Sequence, residues 1–381
     1  MDMNGIEVWE HFMKQDAIPL RNEQLHFLRQ YFDEYKEMIA RDIVQLFDEF
    51  CLEIEKKQTE GELGRMMLFQ FSLLRSALME GEPVYMLEAQ DRKTMDQVQI
   101  TPFRLNAKWI FNFMNSWTGL LEQKRKAYMN QIQSHSLEAW LKEQIYPFHM
   151  FMVHAVRYAM DQIESLESLQ QVAKEPLFDI RVGEYKDPEI SESVYRKSEN
   201  QRSSITCKGW MENLLEHAYI YEHIAQVDIS GGSYRGIRLN YTRFEEVDFT
   251  GSQMQDSLLL GTRFIRCTCD EVDFRKSVMF DADFRECSLV GARLDDTLGT
   301  RDVMSEKHGT FFGIHGVRFM RANLSQASFR GAKIAGDFTY ANLDGVDFTG
   351  AELTGSRMLQ RDIFKVSLTE EQRQSVHWVE E

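Results

Sequence analysis

Ala282-Asp283-Phe284-Arg285-Glu286-Cys287-Ser288-Leu289-Val290-Gly291-Ala292-Arg293-Leu294 decides how the C-terminal part of this chain folds. A large residue recurs at every fifth position (Phe284, Leu289, Leu294), and a small one sits two residues before each (Ala282, Cys287, Ala292). Working backwards, the spacing holds without a slip through Met279, Phe274, Cys269, Phe264, Leu259, Met254, Phe249, Phe244, Leu239 and Tyr234 to Ile229. Helical faces repeat near 3.6 residues and strand faces at 2, so a period of five fits neither. It fits a coil of short sides that turns a corner every five residues and points both the small and the large member inward. Four such units give a coil of about 20 residues, the signature of a solenoid. Successive coils then stack about 4.8 Å apart.

The units Ala282-Asp283-Phe284-Arg285-Glu286, Ala322-Asn323-Leu324-Ser325-Gln326, Ala341-Asn342-Leu343-Asp344-Gly345 and Val346-Asp347-Phe348-Thr349-Gly350 resemble the pentapeptide-repeat family, with its consensus Ala-(Asp/Asn)-(Leu/Phe)-X-X. The resemblance implies a right-handed quadrilateral β-helix over residues 227–368, of about six to seven coils. Some members of that family look like double-stranded DNA in shape and charge and protect DNA gyrase or topoisomerase IV from inhibitors. It therefore implies a DNA mimic, a type II topoisomerase as partner and a part in antibiotic resistance.

The repeat has two interruptions. Between Leu294 and Ile314 the large positions would be Gly299, Met304 and Gly309, and two of these cannot fill a core. A loop near 295–312 is expected. Leu294 and Ile314 stand one coil length apart, so the expected origin is one distorted coil. In short members of the family projecting loops look like the part that touches the topoisomerase, which marks Arg301, Asp302, Met304 and His308 as contact residues. The second interruption is a one-residue deletion near Gly336, where glycine has the backbone freedom to tighten a corner. Residues 369–381 form a C-terminal cap or a dimer contact through Val376 and Trp378; family members often look like dimers joined at this end.

The N-terminal region reads as an α-helical bundle over residues 1–175, making the chain α plus β-solenoid. A short helix is expected over 6–16, with Pro19 breaking it. A long amphipathic helix follows from Asn22 to Lys57, carried by Leu25, Leu28, Phe32, Ile39, Ile43, Phe47, Phe50 and Ile54. Leu63 to Met79 reads as another helix, and 84–98 is ambiguous. Helix resumes from Pro102 through Trp109, Phe113 and Trp117 to Ile145, is kinked or ended by Pro147, and runs again from Phe148 to Val172. Residues 176–205 read as a linker or surface excursion, and 206–226 as a helix capping the first coil. An open solenoid end needs such a cap, because it exposes apolar interior and strand edges.

The formal net charge of −16 disfavours binding to nucleic acid or an anionic membrane. No run of 18 apolar residues predicts a membrane span, and Met1-Asp2-Met3-Asn4-Gly5 lacks the basic and apolar regions of a signal peptide. The five cysteines, Cys51, Cys207, Cys267, Cys269 and Cys287, read as small buried hydrophobes of a reducing compartment, so a cytoplasmic location is expected. Cys-X-X-Cys, His-Glu-X-X-His, Gly-X-Ser-X-Gly and phosphate-loop patterns are absent, and His149 and His154 share no helical face well. No catalysis, cofactor or metal is expected.

One outward row carries Leu258, Leu260, Val278, Phe280 and Leu298, among otherwise polar positions. Such an apolar face needs a partner. The expected occupant is the helical region of the same chain, with a homodimer seam as the alternative. The acidic row a DNA mimic needs is interrupted by Arg235, Arg243, Arg263, Arg275, Arg285 and Arg293. The functional expectation is a non-enzymatic protein-interaction module, in its specific form a shield for a type II topoisomerase. Its alternatives are an adaptor whose helical domain binds an unrelated protein client, and an enzyme with its site in the helical domain.

Overall fold

The computed structural model describes residues 3–92, 97–98, 103–129 and 131–381. The chain divides into two compact units. Unit 1 is Met1–Tyr195 together with Met304–Thr310, and unit 2 is Arg196–Val303 together with Phe311–Glu381.

Unit 1 opens with helix α1 (Met3–Phe12), a π-helical turn (Met13–Ala17) and the long helix α2 (Ile18–Thr59). Pro19 does not break this run. It sits in the first turn of α2, directly after the π-helical turn, and the backbone stays helical through Ala17. Along α2 the expected stripe is buried: Leu25, Leu28, Phe32, Ile39, Ile43, Phe47, Phe50 and Ile54. Its first half meets the helices through Phe32, whose ring lies 6.2 Å from those of Trp109 and Phe151. Its second half meets a sheet, with Phe47 and Phe50 against Phe69 at 5.9 and 5.1 Å.

That sheet is the main departure from the expected helical bundle. The helices of the bundle are present, but Leu63–Met79 supplies strand β1 (Met66–Leu73) and only the one-turn helix α3 (Arg75–Met79). Phe69, Phe71 and Leu73 alternate with Gln70 and Ser72, and all five are buried. That alternation is the period of a strand, but it lasts only five residues and is flanked by Met66-Met67-Leu68 and Leu74, an apolar setting that also suits a buried helix. Strand β2 (Val84–Asp91) pairs antiparallel with β1, and the short strands β3 (Gln97–Val98) and β4 (Arg104–Asn106) pair with β2. Pro102, expected to open a helix, lies outside the described residues. Helix α4 (Lys108–Ala127) begins after β4, followed by α5 (Ser134–Glu143), α6 (Ile145–Ile163) and α7 (Glu167–Gln171). Pro147 belongs to the first turn of α6.

The expected linker is also ordered. Strands β5 (Lys174–Glu184) and β6 (Asp187–Ser198) occupy it, joined at Tyr185-Lys186, with β5 parallel to β1. The sheet order is β3-β2-β1-β5-β6, with β4 also on β2. Gly183 is required there, because a Cβ would lie 2.5 Å from the Ile190 carbonyl oxygen.

Unit 2 is a parallel β-solenoid. Helix α8 (Ser204–Glu212) is capped by the Ser203 hydroxyl, which accepts from the Thr206 amide at 3.3 Å. Cys207, Met211 and Tyr219 from this segment join the solenoid core, although the helix expected over 206–226 ends at Glu212. The first strand, His223–Ala225, pairs with Arg243–Glu245, and bridges such as Asp228↔Asp248 and Ser233↔Gln253 repeat an offset of 20 residues. The inward large positions are buried from Ile229 to Leu294. Phe244, Phe264, Phe284, Phe319 and Phe338 stack down one row at 5.2, 4.6, 5.4 and 5.1 Å. Inward Thr262 and Ser277 donate to carbonyls one coil back, those of Leu239 and Met254, at 2.7 and 2.8 Å. This satisfies hydroxyls that burial would otherwise penalise.

The first interruption differs from expectation. Bridges Asp283↔Arg318, Ser288↔Asn323 and Arg293↔Ser328 show the offset rising from 20 to 35 residues. Fifteen residues are therefore inserted between regular coils, and no coil is distorted. Gly299 does hold a core position, because Val317 Cγ2 fills the space its side chain would take, 2.6 Å from where a Cβ would stand. The one-residue deletion is present, with Asn323↔Asn342 and Ser328↔Asp347 at an offset of 19. Gly336 serves it through space, since a Cβ there would meet the Phe338 ring at 2.5 Å. At the C-terminal end, α9 (Glu370–Ser375) and strand His377–Val379 close the stack, with Met358 paired to Trp378.

Candidate functional site

The outward surface of the solenoid begins with the residue before each large position. Where this is Asp or Asn, its side chain accepts the amide two residues on: Asp228 from Ser230, Asp248 from Thr250, Asn323 from Ser325, Asp347 from Thr349, at 2.8 to 3.2 Å. These Asx turns lead into corner residues with positive φ, which recur at Gly236, Tyr241, Glu246, Gly251 and Asp256. The consensus carries the Asp/Asn preference without its role. The spacing to the next corner is the signal that points to it.

Corner side chains one coil apart pair with each other. Gln226 donates to Glu246 at 3.2 Å, Arg266 to Glu246 at 3.0 Å, and Arg321 lies 3.8 Å from Glu286. Glu245 accepts from Arg266 and stands 3.4 Å from His223. The His223 contact and the neighbouring arginines hold its carboxyl at about 2, against the opposing effect of burial. Asp283 is buried and held by Arg285 at 2.8 Å, Arg318 at 2.9 Å and Arg263 at 3.7 Å. A cleft of about 570 Å³ crosses neighbouring coils, lined by Arg235, Asp256, Arg275, Lys276, Asp295 and Arg330 among others. Arg235 and Asp256 pair within it at 2.9 Å. Its charges alternate in sign.

The expected apolar row is assembled in register. Bridges run Arg238↔Leu258↔Val278↔Leu298, then Leu298 pairs with Lys333. Leu258, Leu260, Val278 and Leu298 are half-buried. Phe280 is only 8% exposed, and the Phe312 ring of the inserted segment lies 5.8 Å from it. Of the loop residues, Arg301 donates to the Ile314 carbonyl at 3.4 Å, Asp302 is exposed, and Met304 and His308 belong to unit 1. Asp281, which no sequence pattern singles out, closes the base of the insertion by accepting the amides of His315 and Gly316 at 2.7 and 3.1 Å. Val376 is buried in the solenoid core, and Trp378 packs against that core while its indole N–H donates to Arg373 O at 2.9 Å.

Inside unit 1, His149 and His154 are both buried. Tyr85 Oη lies 2.7 Å from His149 Nδ1. Burial, with Arg75 nearby, lowers His149 to about 4, and burial with Arg157 and Arg29 lowers His154 to about 3. A second buried polar set, Gln70, Ser72 and Glu88, also goes unannounced by the sequence, since each residue is unremarkable alone. Burial raises the Glu88 carboxyl. Among the described residues no group of three or more His, Cys, Asp or Glu side chains is placed to hold a metal ion. No helix among them is long and apolar enough to cross a membrane.

The pentapeptide-repeat family profile matches residues 257–296 and 337–368, in eight copies across the chain. No curated protein sequence matches. Solved structures are similar at low identity. Full-length QnrB1, a plasmid-mediated fluoroquinolone resistance protein, is 20% identical with a TM-score of 0.26, covering 43% of this chain and 88% of its own. A pentapeptide repeat protein from the Arabidopsis thaliana thylakoid lumen is 14% identical with a TM-score of 0.18, covering 41% of this chain and 70% of its own. HetL of Nostoc sp. strain PCC 7120, involved in heterocyst differentiation regulation, is 14% identical with a TM-score of 0.12, covering 38% and 92%. The chain thus carries a pentapeptide-repeat domain, built as a parallel β-solenoid.

Proposed function

We propose that this chain is a non-enzymatic protein-interaction scaffold whose solenoid is its presenting surface. The observation that carries the reading is the row Leu258, Val278 and Leu298, stacked in register on neighbouring coils. It interrupts a surface whose charged side chains are otherwise largely paired with one another. An apolar row set in a neutralised polar surround suits a protein partner and not a phosphate backbone. Five-residue units at an offset of 20 residues also support a four-sided coil, which gives the row a rigid backing.

Shielding of DNA gyrase or topoisomerase IV is the specific form suggested by the family resemblance. Charge mimicry of DNA is its weak point, because Gln226, Glu246, Arg266, Glu286 and Arg321 alternate along one corner. The adaptor form needs only the apolar row. The test adds the purified chain to gyrase supercoiling reactions containing a fluoroquinolone, alongside a capture experiment with the Leu258→Asp/Val278→Asp variant. Restored supercoiling that the variant loses establishes the topoisomerase form. Capture of another protein that the variant loses establishes the adaptor form. Capture and supercoiling that are both indifferent to the variant overturn the reading of this row.

A further inference from the structure

The inserted segment leaves the solenoid after Gly299, and seven of its residues, Met304–Thr310, complete unit 1. Strands Val303–Ser305 and Thr310–Phe312 pair, and the turn between them is closed by the amides of His308 and Gly309 donating to Ser305 O at 3.1 and 2.7 Å. Within unit 1 the hydrogen bonds from Arg21 and Asn22 reach the turn through its backbone. Arg21 Nη2 donates to the carbonyls of Glu306 at 2.7 Å and Lys307 at 3.3 Å, and Asn22 Nδ2 donates to Glu306 O at 3.2 Å. The side chains of Glu306, Lys307 and His308 remain exposed.

The groups that hold the turn are themselves fixed. Arg21 is 3% exposed. Its Nη1 donates to Gln144 Oε1 at 2.9 Å, and its Nε and Nη2 donate to Asn22 Oδ1 at 3.2 and 3.1 Å. A planar guanidinium clamped in this way presents its remaining N–H in one direction. Gly309 has φ +68°, and a Cβ there would stand 2.9 Å from Leu25 Cδ1 and 3.2 Å from Pro147 Cβ. The site therefore selects two successive carbonyls followed by a left-handed glycine, and is indifferent to the side chains between them.

We propose that this is a peptide-binding site of unit 1, with Met304–Thr310 as its resident ligand, and that it accepts a glycine-closed hairpin turn in trans when the resident turn is withdrawn. The resident turn is then an internal competitor that keeps the site closed to other chains. This inference concerns unit 1 and stands independently of the solenoid's partner.

The probe is a fluorescently labelled peptide of residues 301–313, titrated by anisotropy into full-length chains. Two chains vacate the site: Gly309→Val, and a chain with residues 301–315 removed, whose coils can close in register because the ladder offset there exceeds its neighbours by fifteen. Far-UV circular dichroism checks that both keep the fold. Both should bind the peptide saturably, while the wild-type chain binds about tenfold more weakly or worse because its site is occupied. Adding Arg21→Ala to either vacated chain, or Gly309→Val to the peptide, should abolish binding. The proposal is overturned if neither vacated chain binds, or if binding survives Arg21→Ala or the valine-bearing peptide.

Discussion

Arg21, the fourth residue of α2, donates to the carbonyl of Glu306 at 2.7 Å across 285 residues of sequence. Unit 1 is therefore incomplete until the inserted segment has been made. Its burial lowers the guanidinium's basicity, so the bond is made in a poorly hydrated place. Arg21→Ala should cost about 2 kcal/mol, the usual penalty for leaving a buried acceptor without a charged donor. Hydrogen exchange read by mass spectrometry should show lost protection at Met304–Thr310 and little change in the coils around Phe264. Arg21→Lys should not rescue it, because an ammonium cannot serve Gln144, Asn22 and two carbonyls from one plane. Unchanged exchange in the alanine variant would show that the turn is held by packing alone.

The insertion makes a sharper demand on length. The ladder offset exceeds its neighbours by fifteen residues, so removing residues 301–315 should let the coils close in register. The Phe284 and Phe319 rings, now 5.4 Å apart, would keep their stack. Removing fourteen residues instead leaves one residue over at a junction with no counterpart of the close-packed Gly336 that accommodates the offset of 19, and should leave the downstream coils measurably less stable than the fifteen-residue deletion does. Cooperative melting followed by circular dichroism separates the two. Equal stability of both deletions would refute the register argument.

How much of this is legible in the sequence follows from which constraints are local. Each inward position of the solenoid is fixed by its neighbours at five and twenty residues, so Phe264, Phe284 and Phe319 declare themselves in a single sequence. Fifteen is a multiple of five, however, and that hides the size of the insertion. Ile314 keeps the count while lying outside the coils, and Gly299 reads as a gap although Val317 fills its place. The sheet of unit 1 is hidden for another reason. Phe69 and Phe71 alternate with Gln70 and Ser72 at the period of a strand, but over five residues only, between Met66-Met67-Leu68 and Leu74, which suit a helix equally well. Arg21 reads as one more charged residue on an amphipathic helix, and nothing nearby in sequence names its acceptors.

Asp283 offers a test of the outward surface. Burial alone would raise its carboxyl, but Arg318, Arg285 and Arg263 outweigh it and hold the group below the ordinary carboxylate range. Asp283→Ala would leave three guanidinium groups around a cavity, and breaking such a buried cluster costs about 3–5 kcal/mol. The folded value lies below the unfolded one, so the unfolded chain takes up its proton first as the pH falls. Asp283's contribution is complete above the ordinary carboxylate range and drains away through it towards the folded value. The alanine variant should therefore show a shallower acid dependence of melting than wild type between about pH 5 and 3. Parallel acid curves would mean that the three arginines find other partners.

Unit 1 should respond to acid earlier, through His149 and His154. Both imidazoles are buried and neutral when folded, at about 4 and about 3, whereas in the unfolded chain they titrate near the ordinary value of about 6.5. Below that value the unfolded state binds protons that the folded state refuses, so stability falls as pH drops, by about 1.4 kcal/mol per pH unit for each histidine. By pH 5 each should have cost about 2 kcal/mol. Urea unfolding of the full chain at pH 7, 6 and 5, followed by tryptophan fluorescence, reads this directly, because Trp109 and Trp117 lie in unit 1. His149→Gln keeps a polar atom for the Tyr85 hydroxyl and should remove about half of the slope. A wild-type midpoint that does not move between pH 7 and 5 would mean that both sites admit the proton, through water or local opening, and that neither histidine is held neutral by the fold.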